Sequence, residues 1–220
     1  MKTVVITGAS RGIGKALIQR FLENGDFVIG TSTSGTATIK HKDFINFQLD
    51  LTKSESIETC IKNIHNLKKK IDILINNAGI VVEDEVNKSN INTDYLRKTL
   101  EVNLIGTVEL TEGIIPLMNQ GGHILNLSSR AGSLGHAGYA LNYPSYRISK
   151  AALNMVTRFL AARLEGKQIV SSVHPGWVKT DMGGDDADLE PAEAAEDIFK
   201  LANTNVETGQ FWFKGKKFPW

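Results

Sequence analysis

At 220 residues, the chain suits one large α/β domain better than two small ones, so we expect a single domain over residues 1–220. Its formal net charge of +1 gives no electrostatic basis for binding nucleic acid or an anionic membrane. The only cysteine, Cys60, excludes an internal disulfide, and its position in a helical pattern indicates plain packing.

Other function classes can be set aside on sequence patterns. No apolar stretch approaches the ~18 residues of a membrane span, and Lys2 precedes only a short apolar run rather than a signal peptide. We therefore expect a soluble, cytoplasmic protein. The five histidines lack metal-ligand spacing and have no cysteine partners, so no metal site is expected.

Short apolar runs alternate with amphipathic segments along the chain. The predicted strands are Thr3–Thr7, Phe27–Thr31, Phe44–Asp50, Ile71–Asn76, His123–Ser128, Ile169–His174 and Gln210–Phe213. The predicted helices cover residues 13–24, 54–69, 94–118, 146–165 and 191–203. This alternation predicts an α/β protein with a doubly wound Rossmann fold, in which helices flank a seven-stranded, mostly parallel sheet.

A glycine-rich turn follows the first predicted strand. Gly8, Gly12 and Gly14 have the spacing Gly-x3-Gly-x-Gly and precede the first predicted helix. Glycine permits a tight turn, close approach of backbone N–H groups to a pyrophosphate, and packing of the helix on the sheet. A glycine cluster alone is more often an ordinary turn, but this position predicts a dinucleotide site.

The residues around this turn favour NADP(H) over NAD(H), although NAD(H) stays possible. An acidic residue that would accept from a ribose 2′-hydroxyl is expected near the end of the second strand, but residues 30–34 contain no carboxylate. Thr33 in that segment is a candidate cofactor contact. Arg11, within the turn, could pair with a 2′-phosphate, although a solvated Arg11 is the simpler alternative.

Tyr146 and Lys150 are the leading catalytic candidates. Residues four apart share one face of a helix. Because the lysine charge favours the phenolate, we expect the pKa of Tyr146 to lie below its ordinary value of about 10. Such a group exchanges a proton with a carbonyl or an alcohol near neutral pH. A Tyr-x-x-x-Lys spacing is common by chance and is weak evidence alone. Together with the upstream glycine turn, it becomes strong evidence for a catalytic pair.

Several motifs together resemble, in order and spacing, the short-chain dehydrogenase/reductase family. They are Thr7–Gly14, Asn76–Gly79, Asn103, Ser129, Tyr146-x-x-x-Lys150 and Pro175-Gly176. The resemblance covers essentially the whole chain. Within the family, residues 174–184 are similar to sniffer-type carbonyl reductases and the related C-factor proteins, while residues 7–14 are also similar to 3-oxoacyl-carrier-protein reductases.

The resemblance implies catalytic roles for four residues. Tyr146 would be the general acid/base, and Lys150 would lower its pKa and bind the nicotinamide ribose. Ser129 would donate a hydrogen bond to the substrate oxygen; Ser128 competes for this role but should point to the opposite face of its strand. Asn103 would hold a water that relays protons from Lys150.

The resemblance also implies cofactor contacts. Asp50 would accept from the adenine amino group, although it equally suits a structural role at the start of the next helix. Asn76 is expected to tie the sheet together rather than contact a ligand. The complete cofactor set is Gly8, Ser10, Arg11, Gly12, Ile13, Gly14, Thr33, Asp50, Leu51, Asn77, Ala78, Gly79, Tyr146, Lys150, Val178 and Thr180.

The substrate is the least determined part. Tyr146 follows Ser129 by 17 positions, a longer interval than in many family members, and the loop between them, Arg130–Ser145, contains Tyr139, Leu141 and Tyr143. We expect this loop and Lys179–Glu190 to lie over the site, the latter either as a lid or as a solvated surface. Tyr143 with Arg147 forms a rival pair, but Pro144 disfavours a helix at Tyr143.

The resulting hypothesis is an NADPH-dependent reductase of a small aldehyde, ketone or quinone, acting as a homodimer or homotetramer. One alternative is a 3-oxoacyl-carrier-protein reductase, which would need a basic patch at the pocket mouth. Another is a dinucleotide-binding signalling or regulatory protein of the C-factor type, which would not need turnover.

Overall fold

A computed structural model of the protein describes residues 1–85, 90–136 and 142–220. The strands are β1 (Thr3–Thr7), β2 (Phe27–Ser32), β3 (Phe44–Gln48), β4 (Ile71–Asn76), β5 (Met118–Leu127), β6 (Ile169–Val173), β7 (Gln210–Phe213) and β8 (Lys216–Lys217). The helices are α1 (Gly12–Glu23), α2 (Ser54–Asn66), α3 (Thr93–Leu100), α4 (Gly106–Ile114), α5 (Pro144–Arg163) and α6 (Pro191–Ala202).

The strands form one sheet in the order β3-β2-β1-β4-β5-β6-β7-β8, parallel except for the last pair. The predicted doubly wound α/β fold is therefore confirmed. β2 and β3 are added on one side of β1, whereas β4 and the strands after it are added on the other side. This change of side leaves a crevice at the carboxyl ends of the neighbouring strands β1 and β4. That crevice is where a ligand of such a sheet binds.

The sheet is covered on both faces, which explains why its central strands are apolar throughout. One buried cluster joins the sheet to α1 and α6, and the other joins it to α2, α4 and α5. Cys60 is fully buried in the second cluster, where burial raises the pKa of its thiol to about 12, so it packs as an apolar residue.

The sheet has eight strands rather than the seven predicted. Lys214 (φ 47°) and Gly215 (φ 71°) are both left-handed and connect β7 to the short antiparallel strand β8. Two left-handed residues in sequence form the tight turn that suits a two-residue hairpin. A strand of two lysines has no apolar alternation, so the sequence pattern could not reveal it.

β5 begins at Met118, five residues before the predicted start at His123. Its pairing with β4 shifts register between Ile71 and Ile73, and Gly121 takes a positive φ of 75°. The extra residues form an irregular strand entry whose glycines conceal the strand pattern.

The predicted helix over residues 94–118 is interrupted. α3 is followed by a π-helical turn at Glu101–Ile105, after which α4 continues to Ile114 and a short 3-10 turn ends the segment. A π turn inserts one extra residue into the helical repeat and so rotates the side chains that follow it. The interruption includes Asn103, one of the predicted site residues.

None of the helices in the described ranges is long and apolar enough to cross a membrane.

Candidate active site

The glycine turn lies at the crevice between β1 and β4. Gly8 (φ 72°) and Gly12 (φ 53°) adopt left-handed conformations that favour glycine. A Cβ on Gly14 would come within 2.1 Å of the Gly8 carbonyl oxygen, so only glycine lets α1 pack this close to the end of β1. At the N-cap of α1, Arg11 makes no side-chain capping bond, which leaves the first N–H groups of the helix for an anion.

The segment after β4 is attached to this turn by hydrogen bonds. Thr7 Oγ1 accepts from the backbone N–H groups of Asn77 (3.0 Å) and Ala78 (2.9 Å), and Asn77 Nδ2 donates to the Thr7 carbonyl oxygen at 2.7 Å. Asn76 points elsewhere: its Nδ2 donates to Thr111 Oγ1 (2.9 Å) and Asn126 Oδ1 (2.8 Å). Asn76 therefore ties the sheet together, as expected from the sequence.

The predicted cofactor contacts converge on one cleft. Gly8, Ser10, Arg11, Gly12, Ile13, Gly14, Thr33, Asp50, Leu51, Asn77, Ala78, Gly79, Tyr146, Lys150 and Thr180 all line it. Val178 is the exception, because it is buried and lines the adjoining pocket instead. The same cleft is lined by residues that were not among the predicted cofactor contacts, including Ile80, Val102, Asp181 and Met182.

Asp50 has a structural role in addition to its place in the cleft. Its Oδ1 accepts from the backbone N–H (3.0 Å) and the hydroxyl (2.7 Å) of Thr52, and its Oδ2 lies 3.3 Å from Lys53 Nζ. The hydrogen bonds from Thr52 hold the pKa of Asp50 below its ordinary value, and Lys53 lowers it further. The N-cap of α2 is Lys53, so Asp50 shapes the turn before the helix rather than capping it.

Arg11 forms an ion pair at the surface of the protein. Its Nη1 lies 2.7 Å from Asp181 Oδ2, and the side chains are 78% and 69% exposed. An exposed pair of this kind is worth roughly 0 to 1 kcal/mol. The contact joins the glycine turn to the segment after β6, and it is weak enough for a more highly charged anion to displace it.

Lys150 and Tyr146 meet Ser129 at the inner end of the cleft. Lys150 is buried, and its Nζ donates to the Leu127 carbonyl oxygen at 2.7 Å and lies 5.5 Å from the centre of the Tyr146 ring. Ser129 Oγ accepts from the Ala131 backbone N–H at 3.1 Å, which leaves its hydroxyl proton for the phenol of Tyr146, to which Ser129 is hydrogen-bonded. The predicted catalytic pair and the predicted serine are therefore neighbours in space.

The pKa of Tyr146 differs from the expectation. Burial raises it above its ordinary value, and the hydrogen bond with Ser129 opposes this only in part. Burial also lowers the pKa of Lys150 to about 8. The expectation that Lys150 holds the Tyr146 pKa below about 10 was thus wrong, because the desolvation of the phenolate outweighs its hydrogen bond with Ser129.

Ser128 and Ser129 differ in burial and in their hydrogen bonds, while their orientation to opposite faces stays a prediction. Ser128 is buried, and its Oγ donates at 3.4 Å to the Lys150 carbonyl oxygen. Ser129 instead begins the 3-10 turn Arg130–Gly132. A Cβ on Gly132 would come within 2.5 Å of the Lys150 carbonyl carbon, so a glycine there lets this turn pack directly on α5.

Asn103 is buried and engaged by the protein itself. Its Oδ1 accepts from the Ile80 N–H at 2.7 Å, and its Nδ2 donates to the Ile80 carbonyl oxygen (2.9 Å) and to Ser149 Oγ (3.0 Å). A Cβ on Gly79 would lie 3.2 Å from Asn103 Oδ1 and 3.6 Å from Lys150 Nζ. Asn103 therefore joins the segment after β4 to α5, within reach of Lys150.

A second pocket opens beside this centre. It is lined by Ile13, Val81, Ser128, Ser129, Arg130, Ala131, Asn142, Tyr143, Tyr146, Arg147, His174, Pro175, Gly176, Trp177, Val178, Thr180, Met182 and Gly183. Tyr143 takes a left-handed conformation (φ 53°) outside α5, so the rival pair with Arg147 does not form on a helix. Tyr139 and Leu141, predicted for this wall, lie outside the described residues.

The two predicted loops differ in how far they can be described. Residues 137–141 of Arg130–Ser145 lie outside the described ranges, and Arg130–Gly132 forms the 3-10 turn. In Lys179–Glu190, Leu189 pairs with Val178 and Ala187 is buried, whereas Asp185, Asp186 and Asp188 are exposed. The acidic run is therefore a solvated surface of a folded segment.

Over the described part of the chain, no three histidine, cysteine, aspartate or glutamate side chains come together in a way that could hold a metal ion.

Comparisons with known proteins define the class. The model of the short chain dehydrogenase family matches residues 2–190, and the chain belongs to that family. It is 32% identical over 219 residues to a 1-hydroxy-2-glutathionyl-2-methyl-3-butene dehydrogenase of Rhodococcus sp. (strain AD45), covering 96% of each chain. It is 33% identical over 189 residues to a 3-oxoacyl-[acyl-carrier-protein] reductase of Vibrio cholerae, covering 82% of this chain and 75% of that protein.

Solved structures agree with this assignment. The NADPH-bound carbonyl reductase from chicken fatty liver superimposes with a TM-score of 0.90 at 29% identity, covering 100% of this chain and 99% of that one. The family predicted from the sequence motifs is therefore confirmed, and with it an oxidoreductase fold that binds NAD(P)(H).

The protonation of Lys150 can be measured directly. The pKa of Lys150 is about 8 in the folded chain, against about 10.4 for an ordinary lysine. Between pH 8 and about pH 10.4, Lys150 therefore binds fewer protons in the folded chain than in the unfolded chain. Burial of its charge therefore opposes folding most strongly below pH 8, and this penalty is removed as pH rises through that window. In NMR spectra of protein labelled at lysine Cε, one signal should titrate near pH 8 and be missing from Lys150→Met. If every lysine titrates above pH 10, the burial argument is wrong.

Proposed function

We propose that the protein is an NADPH-dependent oxidoreductase that reduces the carbonyl group of a small aldehyde, ketone or quinone to an alcohol. The observation that carries this proposal is the meeting of Tyr146, Ser129 and Lys150 where the dinucleotide cleft joins the second pocket. A carbonyl compound in the second pocket would have its oxygen beside two hydroxyl donors, with its carbon open to the cleft.

The cleft fits a dinucleotide on structural grounds. Its floor is a backbone turn in which a Cβ at Gly8 or Gly14 would collide with neighbouring protein atoms, and the N-terminus of α1 faces it. Asp50 and Leu51 would contact the adenine, Asn77, Ala78 and Gly79 the adenosine, and Thr180 the nicotinamide amide. When bound, the reduced nicotinamide supplies a hydride to the carbonyl carbon.

The roles of Ser129 and Tyr146 follow from their hydrogen bonds. Negative charge develops on the carbonyl oxygen as the hydride arrives, and two hydroxyl donors aimed at that oxygen stabilise it. The raised pKa of Tyr146 keeps its proton in place at neutral pH, so the phenol can pass that proton to the forming alkoxide. The product is an alcohol, and Tyr146 is left to be reprotonated.

Lys150 and Asn103 would support the proton supply and the cofactor. Lys150 donates one hydrogen bond to the Leu127 carbonyl oxygen, so its remaining protons can reach the nicotinamide ribose. Both amide protons of Asn103 are used by Ile80 and Ser149. A water that relays protons from Lys150 would therefore use the remaining acceptor capacity of Asn103 or its main-chain carbonyl, and the side chain mainly fixes the site.

The role of Tyr146 as general acid can be tested by removing its phenolic oxygen. Tyr146→Phe should lower kcat for the reduction of a simple aldehyde by about 10²- to 10⁴-fold, because the general acid is lost while packing is kept. The dissociation constant for NADPH, from fluorescence titration, should change far less. Tyr95→Phe, which alters an exposed phenol bonded to Asp84, is the matched control. Retention of most of the activity in Tyr146→Phe would assign the acid to another group.

The second candidate is a 3-oxoacyl-carrier-protein reductase, favoured by the likeness to the Vibrio cholerae enzyme. Its chemistry at the carbonyl would be identical, so the substrate has to decide. Turnover of a neutral acetoacetyl thioester well above that of simple aldehydes and quinones would favour this candidate. A regulatory protein that only binds the dinucleotide stays a third hypothesis, and it would require the biological role to survive Tyr146→Phe.

The preference for NADPH is carried by Arg11 and by the absence of a carboxylate among residues 30–34. A 2′-phosphate at the mouth of the cleft would compete with Asp181 for the guanidinium. Because the phosphate carries more charge and binds Arg bidentately, we expect it to win.

The preference for NADPH over NADH can be tested by substituting each partner of the Arg11–Asp181 ion pair in turn. Arg11→Ala should weaken NADPH binding by about 10-fold or more, as expected for the loss of a charge-assisted bond, and leave NADH within about twofold. Asp181→Asn should instead strengthen NADPH binding slightly, because it removes the competitor. Fluorescence titration with each cofactor measures both effects. Equal losses for the two cofactors in Arg11→Ala would refute the role of Arg11.

We also infer a homodimer or a higher homo-oligomer built on it. Ile148, Met155 and Phe159 lie on one face of α5, with Met155 69% and Phe159 65% exposed. Exposed apolar side chains at this spacing form a continuous stripe, which a second copy of the same helix could cover across a two-fold axis. The Arg163–Glu112 ion pair (2.9 Å) lies at the end of α5 and provides a polar rim.

The proposed interface predicts a change in mass. Phe159→Glu should shift the protein from a dimer or tetramer to a smaller species in light scattering, because two buried carboxylates would face each other at the centre of the contact. Leu134→Glu, which changes a leucine that is 90% exposed outside α5, should leave the mass unchanged. A wild-type protein that is monomeric at micromolar concentration would end this proposal.

A further inference from the structure

Glu85 is a buried carboxylate that the proposed reaction does not use. The residue is 1% exposed and lies at the end of the short 3-10 turn Glu83–Glu85, in the segment after β4. A glutamate is almost never fully buried unless other groups satisfy its oxygens, because its charge is then removed from water. The groups bonded to Glu85 therefore indicate what it holds in place.

Both carboxylate oxygens of Glu85 accept hydrogen bonds from Ser145, at the start of α5. Oε1 accepts from the Ser145 hydroxyl at 2.5 Å, and Oε2 accepts from the Ser145 backbone N–H at 3.2 Å. The main-chain carbonyl oxygen of Glu85 accepts from the Tyr143 N–H at 3.3 Å. Three hydrogen bonds thus join two segments whose bonded residues, Glu85 and Ser145, are 60 positions apart in the sequence.

α5 takes its N-terminal cap from outside the helix. Tyr143, at the N-cap position, is left-handed (φ 53°) and makes no side-chain capping bond, and Pro144 has no N–H to offer. A carboxylate at this position satisfies an N–H of the first turn and complements the positive end of the helix. Glu85 therefore supplies the cap that a helix usually takes from the residue before it.

The first turn of α5 carries the proposed general acid. Ser145 immediately precedes Tyr146, so the contact with Glu85 fixes the backbone one residue away from the phenol. On the other side, Ser149 Oγ donates to the Tyr146 carbonyl oxygen at 2.7 Å and accepts from Asn103 Nδ2 at 3.0 Å. The backbone of Tyr146 is thereby held from two directions.

The part of the same segment that lines the cofactor cleft is anchored separately. Asn77 and Ala78 are bonded to Thr7, and Ile80 is bonded to Asn103. None of these contacts involves Glu85. Loss of the Glu85 carboxylate should therefore loosen the start of α5 while leaving the cofactor side of the cleft in place.

We propose that Glu85 is a positioning residue of the reduction, which anchors the first turn of α5 and so directs the Tyr146 phenol at the carbonyl oxygen. This inference rests on the proposed function and adds to it a residue that acts through Tyr146. A displacement of about 1 Å in a reacting group can lower a rate by about 10²-fold. A loosened first turn leaves the phenol chemically intact but less often in line with the substrate.

The first test separates positioning from binding. Glu85→Ala should lower kcat for a simple aldehyde by about 10- to 100-fold, while KM and the dissociation constant for NADPH stay within about threefold. Glu85→Gln keeps the shape of the side chain and an acceptor oxygen, so its kcat should lie within about fivefold of wild type. Steady-state kinetics and fluorescence titration measure these quantities.

Glu109→Ala is the matched control. Glu109 Oε2 accepts from Ser54 Oγ at 3.0 Å, and Ser54 is the first residue of α2. The control therefore removes the same kind of serine–glutamate contact from the start of another helix. Because this pair is exposed and α2 carries none of the proposed catalytic residues, kcat should stay within about twofold of wild type.

A second comparison shows whether Glu85 acts through Tyr146. In Tyr146→Phe the residual rate no longer depends on where the phenol points, so adding Glu85→Ala should change it by less than about twofold. Ser145→Ala removes one of the two groups bonded to the carboxylate, and it should lower kcat by less than Glu85→Ala does. If Glu85→Ala yields no folded protein, Ser145→Ala decides: a kcat lowered about threefold or more at constant KM supports the proposal, and an unchanged kcat overturns it.

Hydrogen exchange provides a readout without turnover. The Arg147 N–H donates to the Tyr143 carbonyl oxygen at 3.0 Å and so reports whether the first turn of α5 is closed. Glu85→Ala should speed exchange at the start of α5 by about 10-fold and leave α1 unchanged, because only a local opening becomes easier. Faster exchange throughout the protein would mean a general loss of stability and would overturn the local anchoring.

The outcomes separate this inference from the proposed function. If wild-type protein reduces no simple carbonyl, the proposed function fails and the positioning role fails with it. If wild type is active and Glu85→Ala keeps kcat within about twofold, only the positioning role is overturned, whatever happens to thermal stability. Equal losses of kcat from Glu85→Ala in the wild-type and Tyr146→Phe backgrounds would also overturn it, because Glu85 would then not act through the phenol.

Discussion

The hydrogen bond from Lys150 Nζ to the Leu127 carbonyl oxygen is the contact on which the site depends. It joins α5 to the carboxyl end of β5, and so sets the distance between Tyr146 on the helix and Ser129 just after the strand. The ammonium is buried and its pKa is lowered to about 8, which means that the fold holds a charge at this point against its solvation. A methionine side chain could pack at this position. In the proposed reaction, however, it could donate no proton to the nicotinamide ribose or to a relaying water. Under the proposed function, this cost of burial is the condition for placing a donor between cofactor and phenol.

Backbone contacts with no room for side chains complete this arrangement. Gly132 lets the turn after Ser129 rest on the main chain of Lys150, and Gly79 leaves the space between Asn103 and the ammonium open. On the cofactor side, Gly14 plays the same part for α1 and the end of β1. Gly132 and Gly14 each lie where two backbone segments approach too closely for a Cβ, whereas Gly79 faces the side chains of Asn103 and Lys150. The site is thus assembled from main-chain surfaces, and only a few side chains project from them.

Much of the fold was readable from the sequence because its signals are local. Apolar runs of strand length and the amphipathic period of α1, α2 and α6 led to the correct sheet. The residues from Gly8 to Lys150 that the motifs singled out line one cleft, with the exception of those noted above. What failed depends on contacts that no local pattern encodes. The π turn around Asn103 follows from packing against Ile80 and Ser149, and β8 follows from a left-handed pair rather than from apolar alternation. The direction of the Tyr146 pKa shift was missed because spacing shows that Lys150 is near but does not show how deeply both groups are buried.

The same reasoning explains why the spacing from Tyr143 to Arg147 does not produce a pair on one helix face. A four-residue spacing predicts a shared helix face for Tyr143 and Arg147. The left-handed Tyr143 removes that relation and leaves Arg147 anchored on Asn142, beside the catalytic phenol. Residues next to each other on a helix point about 100° apart, so the neighbour of a catalytic residue lines a different wall of the same pocket.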